Sequence, residues 1–269
     1  MGSGAPELWV VAGVHGNENE GIACVDDALA ELEPTRGTLV GVPVAYPAAL
    51  RAGTRRGVDD VDLNRVYPGR PDGGATERVA QELWQQLEGH ASALLTVHSW
   101  HAAGATTPYV EHAAGDEDGH AFAQALGLPF VEAWDWPPGL LPAAATRAGV
   151  VSAEVEIGGL GAQTRQMRDI GVAAVAGAMR HLGMLAGEPQ RPGTDVRRHV
   201  LAAGHDGRVR QLVPLGSFVS LGTPVAQVRA LGGEVLETLA SPADGWLAVH
   251  NTYGFVQAGE DVVIVFEAT

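Results

Sequence analysis

The stretch VVAGVHGNENEG, residues 10–21, joins an apolar run to a glycine-bounded polar turn that opens a helical pattern. Residues 8–14 form a strand candidate, and residues 20–33 carry the spacing of a helix. A strand that feeds a helix through such a turn is the beginning of a βαβ unit. Two side chains in the turn, His15 and Glu18, are separated by two residues. Imidazole nitrogen and carboxylate oxygen are both good ligands for Zn²⁺. Gly13 and Gly16 free the backbone to bend sharply around a shared ion.

The alternation continues outward from this turn. Strands are expected at 38–44, 93–97, 130–132 and 150–157, and helices at 76–87, 120–126 and 165–185. This pattern predicts an α/β/α domain with a mixed, largely parallel sheet over residues 1–187. In such sheets, sites gather beyond the carboxyl ends of strands. Residues 188–195, rich in Gly and Pro, read as a linker. Beyond them, short β-type runs over 196–269 predict a small all-β domain. Within it, GRVRQLVPLGSFVSLGTPVAQV weakly echoes GWLAVHNTYGFVQAGEDVVIV. Two similar halves suggest a barrel-sandwich, and unrelated hairpins explain the echo equally well.

Composition narrows the function. The chain has 269 residues, 46% of them hydrophobic and 18% charged, with a net charge of −15. That acidity argues against a nucleic-acid partner, which needs basic patches to meet phosphates. All 17 basic residues are Arg. The lack of Lys excludes Schiff-base chemistry and covalent biotin or lipoate. The single Cys24 excludes a multi-cysteine metal site. No apolar run approaches a membrane span, and the N-terminus lacks a signal-peptide pattern. A cytoplasmic protein without a membrane partner is the expectation.

A catalytic zinc usually takes three protein ligands and a water. The natural third ligand is His98 in LLTVHSW, at the end of another strand candidate. In DDVDLNRVYPG, Asn64 and Arg65 place a neutral donor beside a fixed cation, a pair suited to a carboxylate. An ordinary polar loop is the plainer alternative. Asp62 can accept a proton from the far nitrogen of a ligand histidine, most simply His15. In VVSAEVEIGGLG, both Glu154 and Glu156 can serve as a general base beside the metal. They share one face of a regular strand, so the pattern alone does not choose between them. Glu154 also suits a solvated edge strand.

These segments, GVHGNE, DLNRVYPG, TVH and VEIGG, occur in the order of the aspartoacylase / succinylglutamate desuccinylase family, and the chain resembles that branch of the zinc carboxypeptidase superfamily over nearly its whole length. The resemblance implies one zinc per chain on His15, Glu18 and His98. It implies that Glu156, before Gly-Gly, is the catalytic acid and base, and that Asn64 and Arg65 bind the substrate's α-carboxylate. PAALRAGTRR is similar to the family segment ending in Gly-Thr-Arg, so Arg55 matches the arginine that polarises the scissile carbonyl, with Arg56 as the alternative. Two positions depart from the family pattern: Tyr46 replaces an Asn, and Thr96 stands where an acid is common.

The implied reaction is zinc-dependent removal of the acyl group from a small N-acyl amino acid, by a monomer or a homo-oligomer. Arg147, nine residues before Glu156, is a candidate for gripping a distal carboxylate of the substrate. Tyr253 is a candidate contact from the C-terminal region. Trp100, Trp134 and Trp136 are candidates for lining a pocket, and His101, His112 and His120 are expected outside the metal shell. The alternatives are a zinc carboxypeptidase for short peptides, a noncatalytic zinc-binding homologue, and a carrier module built on the β domain.

Overall fold

Alternate residues of the second strand point to opposite sides, and both sides are apolar: Leu8 and Val10 enter one core, Trp9 and Val11 another. A strand buried on both faces needs helices above and below it. The computed structural model describes residues 2–269 and shows that arrangement. In chain order the elements begin with β1 (Gly2–Ser3), β2 (Glu7–Val11), α1 (Asn19–Glu31), β3 (Gly37–Val42) and α2 (Pro47–Ala52). A 3₁₀ turn at Leu63–Arg65 precedes α3 (Ala75–Leu87), β4 (Ala93–His98), β5 (Gly104–Ala113), α4 (Glu117–Ala125) and β6 (Phe130–Trp134). Then come α5 (Leu141–Arg147), β7 (Val151–Gly159), α6 (Arg165–His181) and β8 (Thr194–Ala202). The remaining elements are strands only: β9 (Gly207–Gln211), β10 (Phe218–Val219), β11 (Pro224–Arg229), β12 (Val235–Ala240), β13 (Gly245–Asn251), β14 (Phe255–Val256) and β15 (Asp261–Ala268).

Eleven strands form one mixed sheet in the order β1-β3-β2-β4-β7-β5-β6-β8-β15-β13-β10. Its heart, β3-β2-β4-β7, is parallel. Residues of α1, α4 and α6 cover one face, among them Val25, Phe122 and Val175. On the other face lie residues of α2, α3 and α5, including Ala49, Trp84 and Leu141. The carboxyl ends of β2, β4 and β7 therefore open on one rim.

The compositional boundary near residue 190 is not a break in the sheet. β8 pairs with β6 in parallel, and β13 pairs back onto the first residues of β5. Strands β5, β6, β8, β15 and β13 thus close into a ring around Tyr109, Phe130, Val196, Ile264 and Phe266. The ring of Tyr109 meets that of Phe266 edge-on at 5.1 Å. A second sheet, β12-β11-β9-β14, packs a separate core that includes Val225, Val228 and Leu247.

Candidate active site

Parallel pairing places His98, the last residue of β4, directly beside Glu156 of β7. His15 follows β2, and Glu18 sits at the N-cap position just before α1. Gly13 adopts φ 60, which brings the chain off β2 and toward α1. Glu18 does not cap its own helix. Its carboxylate instead lies between the two histidines: Oε1 is 2.7 Å from His15 Nδ1, and Oε2 is 2.9 Å from His98 Nδ1. All three residues are buried, and their ligand atoms lie within 4.8 Å of one another.

Each histidine is backed by a carboxylate on its other nitrogen. His15 Nε2 lies 3.1 Å from Asp62 Oδ1, and His98 Nε2 lies 3.3 Å from Glu154 Oε2. Both Nδ1 atoms are thereby left to the interior of the cluster. Burial disfavours charge on His98, but Glu154 and Glu18 outweigh it and raise its pKa well above the usual range. Burial likewise opposes the charge on Glu18, yet His15 and His98 hold its carboxyl well below the usual range. Asp62 is held low against its own burial by His15, Arg55 and Arg65.

Asp62 Oδ2 accepts from Arg55 Nε at 3.0 Å, and Arg55 Nη1 donates to Glu18 Oε1 at 3.2 Å. Arg55 therefore borders the cavity beside the triad, whereas Arg56 turns out to an exposed pairing with Asp60. Asn64 is buried, and its amide is largely engaged. Oδ1 accepts from the backbone of Leu141 at 2.9 Å, and Nδ2 donates to Glu154 at 3.4 Å. One Nδ2 hydrogen remains for another acceptor. Arg65 is exposed at the cavity mouth.

Glu156 borders the same cavity, and its Oε2 is buried with no hydrogen-bond partner. Desolvation, reinforced by the charges of Glu18, Glu154 and Glu111 and opposed by His98, raises its pKa well above the usual carboxylate range. Such a group is suited to holding a proton and giving it up to a neighbour. The cavity measures about 170 Å³, room for a small molecule.

Some expectations require correction. Arg147 is exposed at the end of α5 and lines a separate depression with Trp136, so it does not reach the cavity. The short helix ends before the chain turns back into β7, which carries the arginine away from the rim. Tyr253 is 65% exposed in a neighbouring groove rather than in the cavity. Trp100 and Trp134 do line the cavity, together with His101 at its rim. His112 and His120 stand apart, their tilted rings 5.0 Å from each other. Tyr46 is core: its hydroxyl meets that of Thr76 at 2.6 Å. Thr96 donates to Glu154 at 3.0 Å, so the acid behind His98 comes from the adjacent strand.

Sequence reasoning missed Glu154 as the partner of His98, and it missed Glu20. Glu20 is buried, and its carboxylate accepts from Gly159 N at 2.7 Å, Thr164 N at 3.2 Å and Thr164 Oγ1 at 2.9 Å. It ties the start of α1, just after Glu18, to the loop that leaves the Glu156 strand. Gly158, at φ 61, is glycine because a Cβ there would run into Glu20. The signal was available, since Glu20 lies in the same motif as His15 and Glu18.

Residues 4–182 match the family described as the succinylglutamate desuccinylase/aspartoacylase catalytic domain. The chain belongs to that family. It is an enzyme of a class that hydrolyses the amide bond of N-acyl amino acids. An N-alpha-acetyl-L-2,4-diaminobutyric acid deacetylase from Halomonas elongata is 27% identical, over 97% of this chain and 82% of that protein. The product-bound structure of the ectoine utilization protein EutE from Ruegeria pomeroyi is 25% identical with a TM-score of 0.89. That match covers 99% of this chain and 86% of that one. A succinylglutamate desuccinylase structure from Silicibacter sp. TM1040 is 25% identical with a TM-score of 0.87, covering 100% of this chain and 87% of that one. No helix among the described residues is long and apolar enough to cross a membrane.

Proposed function

We infer that this chain uses a zinc ion on His15, Glu18 and His98 to remove the acyl group from a small N-acyl amino acid. The observation that carries the reading is the convergence of His15 Nδ1, Glu18 and His98 Nδ1, with Asp62 and Glu154 behind the two rings. His15 Nδ1 is buried without an aligned hydrogen-bond partner, as a nitrogen reserved for a metal would be. Two imidazoles and one carboxylate are a donor set typical of hydrolytic zinc, and carboxylate-backed histidines are typical of such ligands. When bound, zinc supplies Lewis acidity toward water and toward the amide carbonyl.

The chain's own residues supply the rest. Glu156 accepts the proton that a water loses as it attacks the carbonyl and returns it to the departing amine. Arg55, fixed by Asp62 and Glu18, donates to the oxygen on which negative charge develops. Arg65 at the mouth, aided by the remaining Asn64 hydrogen, holds the α-carboxylate. A cavity of about 170 Å³ suits an acylated amino acid better than a peptide chain. The relatives' names span an acetyl group on a diamino acid and a succinyl group on glutamate, so they leave the side chain open.

The test combines metal analysis with a panel of N-acyl amino acids and short peptides. One zinc per chain, with chelator-sensitive hydrolysis of N-acyl amino acids, is the expected result. Zinc near one per chain with no turnover of any N-acyl amino acid would overturn the catalytic reading, and faster cleavage of peptides would redirect it.

A further inference from the structure

Beyond the metal triad, one face of the sheet carries a line of acids. Glu154 of β7 stands opposite Glu111 of β5, and Glu111 stands opposite Glu132 of β6. Arg198 of β8 reaches over them. Its Nε donates to Glu132 Oε1 at 2.6 Å, its Nη2 meets both Glu132 and Glu111, and its guanidinium lies 5.0 Å from the ring centroid of Trp134. One guanidinium thus serves two carboxylates, and this trio alone leaves the wall with a surplus of negative charge. Glu111 borders the cavity, its side chain is 3% exposed, and its Oε2 has no partner. Burial, against the pull of Arg198, holds its carboxyl up near pKa 7, so a further cation beside it would favour its charged form.

The single charge of Arg198 is already outweighed by Glu132 and Glu111, which it meets through Nε and Nη2, so the guanidinium brings no net positive charge to an anionic side chain. Arg55 is anchored to Asp62 and Glu18 beside the triad, and Arg147 lies outside the cavity. Arg65, the remaining guanidinium that lines the cavity, stands at its mouth, where the deacylase reading gives it the α-carboxylate. Resting on the deacylase reading above, we propose that the wall selects an N-acyl amino acid with a short cationic side chain, whose ammonium is received by Glu111 Oε2. An ammonium supplies the missing countercharge and satisfies the orphan oxygen. A carboxylate in its place would meet Glu111 with like charge, and a methyl would leave the acid unpaired.

Three substrates of equal side-chain reach separate these cases: Nα-acetyl-2,4-diaminobutyrate, Nα-acetylnorvaline and Nα-acetylaspartate. Zinc-loaded protein is expected to cleave the first with a kcat/KM at least about tenfold above the second, and to disfavour the third further. In Glu111→Gln the ratio of the first to the second should fall by about the same factor. A wild-type enzyme that cleaves the neutral or acidic compound as well as the cationic one overturns the proposal, whatever the variant does. If none is cleaved, the deacylase reading fails separately. Calorimetric binding of free 2,4-diaminobutyrate against norvaline then decides the wall: tighter diamino acid supports it, equal affinity overturns it.

Discussion

Asp62 meets His15 Nε2 at 3.1 Å and so fixes which ring nitrogen faces Glu18. The same carboxylate steers Arg55. Asp62→Asn keeps the shape and can still accept from the Asn64 backbone, but it loses the charge that both partners use. Zinc affinity or turnover should drop about 10–100-fold, measured by competition with a chelating dye and by initial rates. Unchanged values in both assays would remove Asp62 from the site.

The two acids of β7 should separate cleanly. Glu156→Gln should retain zinc and lose about 10²–10⁴-fold in kcat. Glu154→Gln acts through His98 and Thr96, so it should weaken zinc binding while kcat at saturating zinc stays much closer to wild type. A loss smaller than about tenfold at position 156 would show that another group moves the proton.

Glu20 holds three donors with no cation beside it. Glu20→Ala leaves all three without that acceptor and should destabilise the protein by about 2–4 kcal/mol. Glu20→Gln keeps one acceptor oxygen and should cost less. Urea unfolding of the three proteins gives the comparison, and an Ala variant as stable as wild type would contradict the role.

The raised pKa of Glu156 makes a pH prediction for the metal-free protein. Its folded-state pKa lies above the ordinary 4.5, so folding holds a proton that the unfolded chain releases. That costs stability as pH rises above about 4.5, and the cost is absent where both states are protonated. Glu156→Gln should therefore raise the melting temperature of metal-free protein near neutral pH and leave it little changed near pH 4. Calorimetric scans at the two pH values check the sign.

Arg147→Ala should leave the order of preference among acidic, neutral and cationic substrates as it was, because the side chain lies in solvent beyond the cavity. A lost preference in the substrate panel would mean that α5 moves inward during turnover.

The cluster of His15, Glu18 and His98, with Asp62 behind His15, was legible because these residues sit in short motifs, two of them at the ends of strands with strong apolar patterns. The turn after β2 and the end of β4 announce themselves in this way. β5 does not: GATTPYVEHA has a proline near its middle and no sustained alternation, so the strand was not anticipated. With it went Glu111 and the acidic wall, which depend on cross-strand neighbours far apart in sequence. Glu154 was visible but ambiguous, since a buried carboxylate and a solvated one look alike in a sequence. The composition change near residue 190 was real, and only the pairing of β6 with β8 shows that the sheet ignores it.

The closed ring of β5, β6, β8, β15 and β13 has a consequence for how the enzyme comes into being. Its seam joins Thr106 to Val249, more than 140 positions apart. Contacts of such long range are entropically expensive to make and form late in folding. The His15, Glu18 and His98 cluster draws only on the first 98 residues, while the wall that bears Arg198 is held between β6 and β15. A folding chain can therefore bring His15, Glu18 and His98 together before the wall that carries Glu111 and Arg198 is braced, and this side of the cavity is the last to take shape.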